Sequence, residues 1–419
     1  MKNNNYSGFY KLSIEKRLDE VSEFTGLNKK ELEKLCNDKH LSIDMANNMV
    51  ENVIGLYTLP IGLALNFIIN EKEYLIPMVT EEPSVIAAAS NGAKITRSSG
   101  GFYTSNTGSY MIGQIQVMGL KNVEYAKLKL YEHKKEIIDK CNQIDPVLNK
   151  LGGGAKDIEI RKIKSSISGD ILVVHLIVNT LDAMGANAIN TMAEYIAPTI
   201  EKITGGEVYL RILSNLAIKR IFRSSTRIKK EELGSEEIVD KIISAYAFAE
   251  ADPFRAATHN KGIMNGISAA VLATGNDTRA IESAAHSYAS LTGRYKPLTI
   301  WEKDKNGDLL GSIEIPLPLG LVGGATKVHP TAGLNIKILG VKSANELSEV
   351  IASLGLAQNL AAIRALATEG IQRGHMSLHA KNIAVQAGAK GDMIDKVVKV
   401  MIENNKINLE YAKDLLRKI

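Results

Sequence analysis

Asp182-Ala183-Met184-Gly185-Ala186-Asn187 follows an extended apolar run, Ile171 to Thr180, and leads into a helical pattern from about Ala188 to Ile203. A strand, a tight glycine turn and a helix start aim unpaired backbone N–H groups and a positive dipole end at one spot, which suits a pyrophosphate. The dinucleotide fingerprint G-x-G-x-x-G is missing from this turn, so a nicotinamide cofactor held here sits outside the Rossmann pattern. The structural alternative is that Asp182 caps its helix and Gly185 eases close packing.

Working outward, Gly113 to Met118 alternates as a strand and Val123 to Cys141 has helical spacing. Asp157 to Ile163 alternates again, Ile171 to Thr180 reads as a buried strand, and Val208 to Leu213 follows the Asp182 helix as another. The order β-α-β-β-α-β predicts a ferredoxin-like module over 109–215. Residues 12–37 read as an amphipathic helix with a turn at Leu27-Asn28, and 42–110 as short strands punctuated by Asn91-Gly92 and Gly100-Gly101. Beyond the module, Glu236 to Ala251, Asp277 to Leu291 and Ala344 to Thr368 are helical, the last rich enough in small residues to be buried on most sides. A Gly- and Pro-rich strand region covers 311–330, and a charged helical segment follows a glycine hinge at Gly374. The expected class is α+β: a large domain built from 1–108 and 216–373, the inserted cofactor module, and a C-terminal flap over 374–419.

Composition narrows the function. With 419 residues, 45% hydrophobic and 23% charged, the chain exceeds one ordinary domain and is globular. A net charge of +5, no basic block and one Trp argue against nucleic-acid binding. Two cysteines, Cys36 and Cys141, make no disulfide framework and point to the cytoplasm. The polar, Asn-rich N-terminus is no signal peptide, and the most apolar stretch, Ile54 to Ile69, is too short to span a bilayer.

Several side chains carry potential chemistry. Lys261 lies in Thr258-His259-Asn260-Lys261-Gly262-Ile263, where flanking glycines let backbone crowd a lysine into a tight site; a lysine removed from water needs an acid partner. Asp277 follows the turn Thr274-Gly275-Asn276 and opens a helix, so it is also an N-cap candidate. Glu81-Glu82-Pro83-Ser84 precedes an Ala-rich helical run: two carboxylates at a helix N-terminus serve as dipole partners, or one works as an acid. His375 and His379 stand four apart, but no Glu follows His375 and no third ligand is evident, so no metal site is expected. A general acid behind a glycine hinge is the sharper reading of His375.

Together these motifs resemble class II 3-hydroxy-3-methylglutaryl-coenzyme A (HMG-CoA) reductase. The resemblance runs through Glu51-Asn52-Val53-Ile54-Gly55, Glu82-Pro83-Ser84, Asp182 to Asn187, Thr258 to Ile263, Gly275-Asn276-Asp277 and Gly374-His375-Met376, in order and nearly end to end. It implies reduction of a thioester to an alcohol with two NAD(P)H, giving mevalonate and free CoA. It implies that Lys261 donates to the carbonyl oxygen, that Asp277 pairs with Lys261, that Glu82 is the proton donor and that His375 protonates the departing thiolate. Ser84, Arg255, Asn265 and Gln358 match substrate-contacting positions, and Asp182, Met184, Gly185, Asn187 and Asn215 match cofactor-lining ones. Asp145, at the position of an Asp in an NADH-using member, favours NADH over NADPH, because a carboxylate repels a 2′-phosphate; Pro146 and Asn142-Gln143-Ile144 depart from that member. The resemblance further implies a homodimer with substrate and cofactor on neighbouring subunits and Glu51 to Gly55 at their interface, with a hexamer of three such dimers as a further step. Two other readings stay open: the same reaction run oxidatively to degrade mevalonate, and a non-catalytic acyl-CoA-binding protein on the same fold.

Overall fold

The computed structural model of the chain describes residues 4–6, 8–36, 40–368, 370 and 380–418. The chain opens with α1 (Ile14–Thr25), α2 (Lys29–Leu32) and α3 (Ile43–Met49), each started by a polar side chain, Ser13, Asn28 or Ser42, that accepts a backbone N–H of the first turn. The strands β1 (Ile61–Ile69) and β2 (Lys72–Val79) form an antiparallel hairpin. Its two turn residues, Asn70 and Glu71, both have positive φ, as a tight hairpin turn demands. Then come α4 (Val85–Thr96) and β3 (Tyr103–Asn106).

The small module follows: β4 (Tyr110–Met118), α5 (Val123–Glu132), α6 (Lys134–Ile144), α7 (Pro146–Lys150), β5 (Gly154–Ser165), β6 (Gly169–Asn179), α8 (Ala186–Thr204) and β7 (Glu207–Ser214). Its sheet runs β5-β6-β4-β7, antiparallel throughout. That is the strand order of the split β-α-β arrangement. Buried side chains of the sheet, α5, α6 and α8, among them Ile115, Leu130, Val174 and Ile196, form a core of their own. The single helix expected over Val123 to Cys141 is two helices. His133 leaves helical geometry, and its Nδ1 lies 2.9 Å from the carbonyl of Lys129.

The remaining elements are β8 (Ile221–Ile228), α9 (Lys230–Leu233), α10 (Glu236–Ala251), α11 (Pro253–Ala273), α12 (Thr278–Ala289), β9 (Thr299–Lys303), β10 (Leu309–Pro316), α13 (Gly324–Val328), α14 (Pro330–Leu339), α15 (Ala344–Ala367), α16 (Asp392–Glu403) and α17 (Leu409–Lys418). A second four-stranded sheet runs β3-β8-β10-β9. Its core joins the β1–β2 hairpin, α4, α10, α11 and α15, and is separate from that of the small module. Among the described residues, α15 is the one helix long and apolar enough to cross a membrane, and it is buried within this core. Small residues bring its neighbours close. A Cβ on Gly92 would lie 2.1 Å from the carbonyl oxygen of Ala357, so α4 rests directly on α15 backbone. Asn91-Gly92 is therefore no turn, contrary to the strand-and-turn reading of 42–110, which also holds α3 and α4.

Candidate active site

α11 carries three of the singled-out side chains. Asp252 caps it by accepting the Arg255 N–H at 2.9 Å, and Pro253 occupies the first turn. Its buried face, His259, Asn260, Ile263, Met264 and Ile267, packs into the large core. Lys261 and Asn265, four apart, share a different face. Lys261 thus stands on a helix and is not crowded there by its neighbouring glycine, since Gly262 has open space around it. Gly266 serves packing: a Cβ there would meet Gln358 of α15 at 3.1 Å.

Buried polar bonds fix the position of α11. His259 Nε2 lies 2.7 Å from Thr299 Oγ1, which donates to Asn359 Oδ1 at 3.1 Å; Trp301 Nε1 donates to the same oxygen at 2.8 Å. Burial, with the charge of Arg255 second, pushes the His259 imidazole down to about 3, so it is neutral. Asn260 holds the carbonyl of Lys296 and the N–H of Leu298.

Glu82 lies between β2 and α4, where its N–H donates to Thr80 Oγ1 at 3.1 Å. Its Oε2 accepts from Lys261 Nζ at 3.2 Å, joining residues 179 apart in sequence. Ser84 follows with φ 78°, ψ −21°, a left-handed conformation costly for a residue with a Cβ and common where function constrains the backbone. Gln358 is 4% exposed, and its Oε1 is buried without a hydrogen-bond partner among the described residues. Arg255 is half-buried, and burial lowers its guanidinium from the usual value.

Asp277 is the N-cap of α12 and accepts from the N–H groups of Arg279 and Ala280. The Arg279 guanidinium grips both its oxygens, at 3.1 Å each. Burial pushes the carboxyl up, but the bonds from Arg279 and from backbone outweigh it and hold Asp277 below the usual carboxylate range. The expected Lys261–Asp277 pair is not formed within the chain: Lys261 binds Glu82, and Asp277 binds Arg279.

The Asp182 to Asn187 turn leads into α8. Gly185, at φ 96°, is the N-cap of the 19-residue α8, with no capping side chain and no acid in the first turn. The first N–H groups therefore keep their donor capacity for an anion. A Cβ on Gly185 would lie 2.2 Å from Thr180 Cγ2, so the turn requires glycine twice over. Asp182 does not cap α8. Its Oδ1 accepts from Ala344 N at 2.7 Å, at the start of α15. Met184 and Asn187 lie on this turn, half-buried and exposed, and Asn215 follows β7, half-buried. Asp145 caps α7 through its Oδ1, which accepts from Leu148 N at 2.8 Å.

Residues 13–380 match the family model for hydroxymethylglutaryl-coenzyme A reductase. The chain is 59% identical over 412 residues to the 3-hydroxy-3-methylglutaryl-coenzyme A reductase of Archaeoglobus fulgidus, covering 98% of this chain and 94% of that one. The chain belongs to the class II HMG-CoA reductase family. It is 36% identical to a probable HMG-CoA reductase of Borreliella burgdorferi over 425 residues, covering 98% of this chain and 94% of the other. Among solved structures, a Streptococcus pneumoniae HMG-CoA reductase aligns with a TM-score of 0.85 at 41% identity, covering 99% of each chain. A class II reductase from the same organism, described as bound to NADPH in open conformations, aligns at 0.83 and 41% identity, covering 97% of this chain and 99% of that one.

The chain thus brings Glu82 to Lys261 on α11 and sets Gln358 of α15 against Gly266 of α11, and it leaves Asp277 and Asp145 as helix caps. His375 and His379 lie outside the described residues. Among the described residues no group of three His, Cys, Asp or Glu is placed to hold a metal. Sequence reading missed Arg279, Asn276 and Arg220. The i, i+2 spacing of Asp277 and Arg279 was the available signal for the first. The other two depend on partners far along the chain.

Proposed function

We propose that this reductase converts (S)-HMG-CoA to mevalonate and CoA, with Lys261, Glu82, Asp277 and His375 as its catalytic groups. The observation that carries this is the Lys261–Glu82 contact, which sets a carboxyl from the β2–α4 connection beside a cation on α11. A fixed ammonium beside a developing alkoxide in a water-poor site stabilises the transition state by several kcal/mol. The carboxyl of Glu82 then delivers the proton that the alkoxide needs. The bound nicotinamide supplies the hydride. His375 protonates the thiolate released by the first reduction, so that CoA leaves as a neutral thiol.

In this reading Arg255 binds the free carboxylate of the substrate, and Ser84, Asn265 and Gln358 orient its acyl portion; the orphaned Gln358 Oε1 supports this, because a buried acceptor gains most from a ligand donor. Asp182, Met184, Gly185, Asn187 and Asn215 line the cofactor, and Asp145 favours NADH. NADPH is the competitor, since the Streptococcus relative is described with it. The small module takes 109–215, the large domain 1–108 and 216–373, and the flap 374–419. The two free cysteines support a cytoplasmic setting.

The active form is a homodimer. Within the chain Lys261 bonds Glu82 and Asp277 bonds Arg279. We therefore pair Lys261 with Asp277 of the partner subunit. Ile54, 105% exposed, and Tyr57, 88% exposed, lie in an extended segment suited to that interface. Turnover of HMG-CoA with each nicotinamide, followed by absorbance, tests the reading. Faster turnover with NADH, and a smaller gap in Asp145→Ala, supports it; an unchanged ratio removes Asp145 from the choice, and no turnover with either cofactor leaves the acyl-CoA binder.

A further inference from the structure

Arg220 is fully buried, 0% exposed, just before β8. Its Nη1 donates to Thr180 Oγ1 and to the carbonyl of Ala183, both at 3.0 Å, and its Nη2 donates to the carbonyl of Leu319 at 2.5 Å. Burial pushes the guanidinium down to about 10, and the nearby Asp182 carboxylate opposes that shift. Such a cation is held only where several acceptors converge on it.

The segment after β10, around Leu319, touches both halves of the site. The Leu321 N–H donates to the Asp182 carbonyl at 2.8 Å. The Gly320 N–H donates to Asn276 Oδ1, also at 2.8 Å, and Asn276 adjoins Asp277. A Cβ on Gly320 would lie 2.7 Å from Met184 N, so the cofactor turn rests on bare backbone. One three-residue segment therefore contacts Arg220, the Asp182 turn and the Asp277 turn.

We propose that Arg220 is a positioning residue for the reduction, clamping the Thr180–Gly185 turn onto the Leu319–Leu321 segment so that the cofactor turn and the Asp277 turn hold a fixed spacing. It touches neither substrate nor cofactor. Its effect falls on nicotinamide binding, because the turn it holds is the one carrying the anion-binding N–H groups. This rests on the proposed reductase reading.

The test compares wild type with Arg220→Lys, which keeps the charge but cannot serve three acceptors in the same geometry. Thr180→Val removes one acceptor and keeps the side chain's shape. We expect Arg220→Lys to raise the KM for the nicotinamide cofactor about tenfold while the KM for HMG-CoA stays within about twofold. Thr180→Val should show the same split with a smaller rise. Titration of the reduced cofactor by its fluorescence should give a matching rise in Kd without turnover. A cofactor KM and Kd at wild-type values in either folded variant would overturn the clamp. So would both KM values rising together in step with a lost Tm, which marks a merely structural role. A wild type that binds the reduced cofactor but turns over no HMG-CoA would instead fail the reductase reading.

Discussion

Lys261 Nζ stands 3.2 Å from Glu82 Oε2, although 179 residues separate them. The pair is solvent-accessible in the single chain, with Lys261 64% and Glu82 38% exposed. An exposed ion pair adds little to stability. Lys261→Ala should therefore leave the melting temperature within a few degrees of wild type. It should lower kcat by about a hundredfold or more on both HMG-CoA and mevaldehyde, since both reductions develop charge on a carbonyl oxygen. Thermal melts and nicotinamide absorbance check the two halves separately, and retained rates on mevaldehyde would remove the oxyanion role.

Asp277 has two tasks that substitution separates. Asn caps helices about as well as Asp, while Ala costs about 1 kcal/mol at such a site. Asp277→Asn should melt near wild type and Asp277→Ala lower, yet both should lose activity. An active Asp277→Asn would reduce Asp277 to the cap of α12.

If Lys261 meets Asp277 of the partner subunit, mixing two inactive variants restores one complete site. Lys261→Ala and Asp277→Asn proteins, reassorted by mild denaturation and refolding, should recover about a quarter of wild-type activity by random pairing of subunits. No recovery, with subunit exchange shown by differently tagged chains, would place both residues in one chain's site.

The neutral, buried His259 makes stability depend on pH. Its folded value, about 3, lies below the unfolded 6.5. Its contribution is full above the unfolded value and is lost as pH falls toward the folded one, by up to about 1.4 kcal/mol per pH unit. The advantage of wild type over His259→Gln in urea unfolding should therefore shrink between pH 7 and pH 4.5. A constant difference would mean that His259 protonates without opening α11.

The periodic elements were legible in the sequence. Glu236 to Ala251 is a helix to the residue, and Ala344 to Thr368 forms the buried α15, because apolar spacing and end signals agree there. The small module's four strands were legible in the same way, while the break between its first two helices at His133 was not. Gly92 misled because a glycine that lets helices touch looks, in one dimension, like a glycine that turns the chain. Arg220 sits beside Lys219 in what reads as surface charge, and nothing local ties it to Leu319, 99 residues on. Asp277 read correctly as a cap candidate, and Arg279, two residues on, was the local signal for the bond it makes within the chain.

The most direct measurement is stoichiometry. Purified protein given limiting HMG-CoA and excess reduced nicotinamide should oxidise about two nicotinamides for each CoA thiol released, because thioester and aldehyde are reduced in turn. Thiol release without nicotinamide oxidation, or no release at all, would contradict the reductase account.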